Sequence, residues 1–234
     1  MAVSLVLYND RMRVCLFDID GTLLSSGGAG KGAMAEAMAT AFDVPACADG
    51  IPFSGRTDRA IARDLFCHHG VAESDDNWRR FVTTYLGHLP RCLNTHNGKV
   101  LPGIVALLES LRARGQFALG LLTGNIRDGA RLKLGHYGLF DHFAFGGFGD
   151  HHFQRDDVAR DALAEVRRHL QGDVDLDQVW VIGDTPLDVQ CARAIGVRVA
   201  AVASGWHSLE DLAAAEPDLL LESLSDPRPL LQLM

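Results

Sequence analysis

The sequence predicts an α/β protein, a parallel sheet with helices on both faces and an all-helical unit inserted near its start. Three observations carry that prediction. From residue 98 onward, short apolar runs alternate with helical stretches, the pattern of a parallel sheet covered on both sides. The first apolar run, Val14 to Phe17, is followed by a helical block of about seventy residues before the next strand, where a crossover needs only about a dozen. Three strands end in acids and hydroxyls, at the edge where open parallel sheets bind ligands. Residues 1–24 and 98–234 are therefore assigned to the core and 25–97 to a helical cap.

Val14 to Phe17 is the first strand, and Gly21 in the DIDGTLL that follows permits a tight turn. SSGGAGKG reads as a flexible connection into the cap. There, Met34, Ala37, Met38, Ala41 and Phe42 recur at helical spacing, as do Trp78, Phe81, Val82, Tyr85 and Leu89. Between them Thr57 is the expected N-cap of a helix that stops near Gly70. In the core, Ile104, Leu107, Leu108 and Leu111 form one helical face bounded by Pro102 and Gly115. Strands are expected at Phe117 to Leu122, Phe143 to Phe145, Val179 to Ile182, Val197 to Val202 and Leu219 to Leu221. Helices are expected before Gly135 and from Arg155 to Leu170. The tail DPRPLL has no assigned role.

Composition narrows the function. Of 234 residues, 47% are hydrophobic and 22% charged, an ordered globular balance. Thirty acids against 22 bases give a net charge of -8, without the basic stripe of a nucleic-acid binder. The five cysteines, Cys15, Cys47, Cys67, Cys92 and Cys191, are scattered without a CxxC pair, which argues against a disulfide framework or a zinc site. MAVSLVLYNDR lacks the features of a signal peptide, and no apolar run approaches membrane-spanning length, so a cytoplasmic location is expected. A monomer or a homodimer is expected.

The strand ends carry the chemistry. Asp18 and Asp20 follow the first strand, Thr123, Gly124 and Asn125 a second, and Asp184 and Asp188 a third. Brought to one sheet edge, these carboxylates repel one another unless a cation joins them. Hard oxygen ligands with room for water suit magnesium. A phosphate would complete the neutralisation, with Thr123 donating a hydrogen bond and an Arg or Lys adding charge.

DIDGT at Asp18 to Thr22, TGN at Thr123 and GDTPLD ending at Asp188, in that order, resemble the motifs of the haloacid dehalogenase-like hydrolases. The likeness is to the branch with a helical cap between its first two motifs, which includes phosphoglycolate phosphatases. The resemblance implies a Rossmann-like core and a set of roles. Asp18 attacks phosphorus, and Asp20 is the general acid and base. Magnesium is held by Asp18, the Asp20 backbone carbonyl and Asp184, with Asp188 a ligand or a neighbour of one. Thr123, Gly124 and Asn125 hold the phosphoryl oxygens. Many relatives have a lysine before a proline ahead of the last motif. Here FGDHHFQRDDVARDAL has none, and Arg155 at a helix start is assigned that place over Arg160. Lys133 is a further candidate for that place, with an exposed helix charge as the preferred reading.

Other signals are set aside. GGAGKG lacks the Ser or Thr that a phosphate loop needs after its lysine. Asp150, His151 and His152 read as a surface loop, and Trp78 and Tyr85 as cap core. Arg56 is a candidate anion contact from the cap or a solvated first-turn residue. Hydrolysis of a small phosphorylated metabolite is the expected activity. A phosphomutase is the alternative; Asp20 argues against a dehalogenase, and the intact acids argue against a retired binding fold.

Overall fold

Unbroken apolar runs make the central strands, because a parallel strand buried on both faces needs no polar alternation. The structure, a computed structural model, describes residues 12–233. The N-terminal segment read above as no signal peptide, residues 1–11, lies outside them. The core strands are β1 (Arg13–Phe17), β4 (Phe117–Leu122), β5 (Phe145–Gly147), β6 (Val179–Gly183), β7 (Arg198–Val202) and β8 (Leu219–Leu221). They form one sheet in the order β5-β4-β1-β6-β7-β8, with every neighbouring pair parallel. The chain builds outward from β1 to β5, then returns to lay β6 on the other side of β1. That reversal opens a crevice at the carboxyl ends of β1, β4 and β6, where ligands bind in open α/β sheets. Register makes the ends level: Phe17 pairs with both Leu121 and Ile182.

Alternate residues of each strand face opposite layers. Cys15 and Phe17 pack with Ile104, Leu107 and Leu111 of α4 (Ile104–Ala113) and Leu134 of α5 (Arg127–His136). Val14 and Leu16 pack with Val158 and Ala162 of α6 (Arg155–Leu170) and Val189 of α7 (Pro186–Ala194). A short α8 (Leu209–Ala213) follows β7. The tail folds as α9 (Arg228–Leu233), which buries Leu230 in the first of these layers. Its role is thus to close the core beside Leu224.

The cap comprises α1 (Ala29–Phe42), α2 (Asp58–His69) and α3 (Asp75–Thr95), packed around Met38, Leu65, Phe81, Tyr85 and Leu89. Thr57 caps α2 by accepting from the Ala60 N–H, and Gly70 ends it in the left-handed region, as the sequence suggests. The cap is tied to the core by a small antiparallel pair, β2 (Leu24–Ser25) with β3 (Lys99–Val100), which two-residue runs could not announce. Gly27 and Gly28 have φ of 63° and 90°, so SSGGAGKG is a glycine bend leading into α1. One strand is displaced from its expected place. Phe143 closes a 3-10 turn (Phe140–His142), and the strand runs over Phe145–Gly147. Its two glycines, which weaken any strand signal, let α6 approach: a Cβ on Gly147 would enter the Val158 carbonyl and Ala162. Among the described residues, no helix is long and apolar enough to cross a membrane.

Candidate active site

Each acid owes its place to a strand end. Asp18 directly follows β1, and its backbone N–H donates to the Ile182 carbonyl at 2.9 Å. Asp184 follows β6, and Thr22 donates to its Oδ1 at 3.1 Å. Asp188 sits in the first turn of α7, where it completes a capping box with Thr185. Ligand atoms of Asp18, Asp184 and Asp188 lie within 4.8 Å of one another, all three residues buried. Glycines make room for this. A Cβ at Gly21 or at Gly205 would run into the Asp184 carboxylate, and Gly21 holds a φ of 88° besides.

One cation joins the acids from within the chain. Arg155 is buried; its Nη2 lies 3.1 Å from Asp18 Oδ1 and also bonds Asp188 Oδ1. It donates further to the Leu122 and Gly55 carbonyls. Its Nε is a buried donor without a partner among the described residues. Arg160 is exposed and pairs with Asp157, so Arg155 is the arginine at the acids. Three carboxylates remain against one guanidinium. Burial, partly offset by Arg155 and reinforced by Asp188, pushes Asp18 up to about 6. Burial and the charges of Asp18 and Asp188 push Asp184 well above the carboxylate range.

Asp20 stands apart from that trio. Its Oδ2 accepts from Lys133 Nζ at 2.5 Å and from Asn125 Nδ2 at 3.1 Å, and its Oδ1 from Ser26 Oγ at 3.0 Å. Burial would raise its pKa, but the Lys133 charge and these hydrogen bonds outweigh burial and lower it. Lys133 is therefore not the exposed helix charge its sequence position suggests. Its side chain is only 6% exposed, because α5 turns that face inward against the cap and the ammonium finds Asp20 and Asn125 Oδ1 there. The spacing of Lys133 from TGN, somewhat over two helical turns, is compatible with this place but does not single it out.

Thr123 is buried, and its Oγ1 accepts from both the Asn125 N–H and Nδ2, which leaves its own proton to donate. Asn125, expected among the phosphate-holding residues, spends its amide on Asp20, Thr123 and Lys133. Its side chain thus orients neighbours. Gly124 admits the cap: its carbonyl accepts from the Asp58 N–H at 2.7 Å, and a Cβ there would strike the Arg56 carbonyl. Asp58 Oδ2 in turn accepts from the Ile126 N–H, and Ser54 bonds His207 at 3.1 Å. The loop around residues 54–58 is therefore seated on the acid cluster's rim. The Arg56 guanidinium pairs with Asp64 and the Pro52 carbonyl, both within the cap. Asp150 accepts from the Arg127 N–H while His152 pairs with Asp161, so these two loop residues go to separate partners.

A model of a family described as haloacid dehalogenase-like hydrolase matches residues 15–202 of this chain. A phosphoglycolate phosphatase of Rhodospirillum rubrum is 29% identical over 204 residues, covering 83% of this chain and 80% of that protein. A phosphoglycolate phosphatase of Synechococcus elongatus is 33% identical over 130 residues, which is 55% of this chain and 57% of the relative, little more than half its length. Among solved structures, a hydrolase from Pseudomonas syringae shares the fold with a TM-score of 0.69 at 23% identity, covering 94% of this chain and 98% of that one.

Proposed function

The chain belongs to the haloacid dehalogenase-like hydrolases, and from that premise and the site geometry we propose that it hydrolyses a small phosphorylated metabolite of the phosphoglycolate kind, with magnesium as its cation. The phosphatases among its relatives place it with the phosphoric monoester hydrolases. The observation that carries the proposal is the buried trio Asp18, Asp184 and Asp188, its ligand atoms within 4.8 Å of one another, with the Arg155 guanidinium paired to Asp18 and Asp188.

That donor set fits a hard divalent ion. It offers three carboxylates, two of them pushed up by burial and mutual repulsion, so a further cation would relieve the excess charge. Asp18, Asp184 and the Asp20 carbonyl would hold it; Asp188, bonded through both oxygens to Arg155 and Thr185, would orient the arginine. When bound, such an ion would supply positive charge to neutralise the phosphoryl oxygens.

The protein groups supply the rest. Asp20 first takes up a proton on its open Oδ1 as the anionic ester binds and offsets the Lys133 charge that otherwise keeps it ionised. An Asp18 oxygen then attacks phosphorus as the bond to the leaving alkoxide breaks, and Asp20 gives that alkoxide the proton. Asp20 then takes a proton from water as the water oxygen attacks phosphorus. Phosphate leaves and the Asp18 carboxylate is restored. The Thr123 hydroxyl and the unpaired Arg155 Nε–H supply hydrogen bonds to phosphoryl oxygens. The seated cap loop, with Gly55 bonded to Arg155 and Asp58 to Gly124, favours a substrate small enough to lie beneath it. A nucleic acid or a protein would not fit, and the acidic net charge repels a polyanion.

The test is phosphate release across 2-phosphoglycolate, sugar phosphates and nucleoside monophosphates, with magnesium and after EDTA. Magnesium-dependent release from a small ester is the expected result. Isomerisation of a sugar phosphate outrunning phosphate release would replace the proposal with a phosphomutase.

A further inference from the structure

We propose that Lys133 is the positioning residue for Asp20, and that with Asn125 it closes Asp20 Oδ2 so that Oδ1 handles the proton. The inference rests on the phosphatase reading above and assigns a role to a residue, Lys133, that none of the three strand-end motifs contains.

A carboxylate has about four lone-pair sites, two on each oxygen. Lys133 Nζ at 2.5 Å and Asn125 Nδ2 at 3.1 Å fill both sites of Asp20 Oδ2. Ser26 at 3.0 Å is the one partner of Oδ1 among the described residues, so one site of Oδ1 stays open. Lys133 is itself fixed, since Asn125 Oδ1 accepts a second of its protons at 2.6 Å. The surroundings are shaped for an ammonium. A Cβ on Gly30 of α1 would lie 3.2 Å from Nζ, so the glycine of the cap's first turn leaves it space. The ammonium is buried while the Asp20 carboxylate is 36% exposed, and burying an ammonium against such a half-exposed partner gains little net stability. A role in aiming Asp20 accounts for the arrangement better than stability does.

Loosening Asp20 should affect the two half-reactions unequally. With p-nitrophenyl phosphate the leaving group departs without a proton, so phosphorylation of Asp18 does not need an aimed Asp20. Hydrolysis of the phosphoaspartate does, because a water proton must reach Oδ1. In Lys133→Met we therefore expect a burst of about one nitrophenolate per active site, with kcat reduced at least about tenfold. KM should fall in parallel, so that kcat/KM stays within about threefold of wild type. With an alkyl phosphate, kcat/KM should fall too, because the first step then needs the proton.

Gly30→Ala provides the second variant in case Lys133→Met folds poorly. Gly30 has an ordinary helical backbone, where alanine is favoured, so its Tm should not drop while its kcat shows the same split to a smaller degree. A structural role alone would lower kcat at unchanged KM, without a burst, and would overturn the proposal. So would wild-type kinetics in both variants. If wild-type protein releases no phosphate from any ester, the phosphatase reading itself fails, and this inference with it.

Discussion

Arg155 Nη2 lies 3.1 Å from Asp18 Oδ1 while the same nitrogen bonds Asp188, so one guanidinium is shared by Asp18 at the end of β1 and the first turn of α7. Removing it leaves the three buried carboxylates without an ion-paired cation among the described residues. Arg155→Ala should lose at least about a hundredfold in kcat/KM and should fold more weakly, with magnesium restoring part of the Tm. Arg160→Ala, which removes only an exposed partner of Asp157, should stay within about twofold. Steady-state kinetics and thermal melts of the two variants check this; equal losses would remove Arg155 from the site.

Asp184 is kept in place by what is missing around it. A Cβ on Gly205 would overlap its carboxylate, although Gly205 has no left-handed backbone to protect. Gly205→Ala should therefore keep the fold and weaken magnesium activation at least about tenfold. A magnesium titration of activity reads the effect, and an unchanged midpoint would contradict it.

The acids also set a pH dependence for the cation. Burial, with Asp188 adding to it and Arg155 opposing, raises Asp18 to about 6 from an ordinary 3.8. Without a cation, the stabilisation from its folded-state proton is complete below about pH 4 and lost as pH rises through about 6. Protons and magnesium compete for the same oxygens. The rise in Tm on adding magnesium should therefore be small near pH 5 and grow through pH 7, as measured in melts with magnesium and with EDTA. A shift that is constant across that range would contradict the assignment.

Asp58 offers a second titration, outside the acid trio. Burial raises it to about 7 despite the opposing charge of Lys133 and the hydrogen bond from Ile126. The folded chain thus holds a proton that an unfolded chain releases near its ordinary 3.8, and that stabilisation fades as pH rises through about 7. Asp58→Asn keeps an acceptor for the Ile126 N–H but cannot ionise. Its Tm should fall less steeply than wild type between about pH 4 and 7; an identical slope would count against this.

Much of this architecture is legible in the residues. Unbroken apolar runs marked five of the six core strands, and Thr57 and Gly70 bounded α2 because caps are local chemistry. Asp18, Thr123 and Asp184 could be gathered from sequence because strand ends in a parallel sheet converge. Lys133 could not. Nothing local tells whether a lysine on a helix faces water or a carboxylate 113 residues earlier in the chain. Gly30 and Gly205 escaped notice for a related reason, since a glycine needed for space looks like any other until its neighbours are known. The strand at Phe145–Gly147 was displaced because its glycines carry no strand signal while Phe143, two residues earlier, does.

Asp18 as the nucleophile is the claim on which the rest depends. The most direct measurement compares phosphate release by wild-type protein and Asp18→Asn, in magnesium, on whichever small ester the wild type hydrolyses best. An amide is a poor nucleophile and a poor ligand for a hard cation, so the variant should keep its fold and retain less than about a hundredth of the wild-type rate. Retention of about a tenth or more by the purified, folded variant would contradict the account.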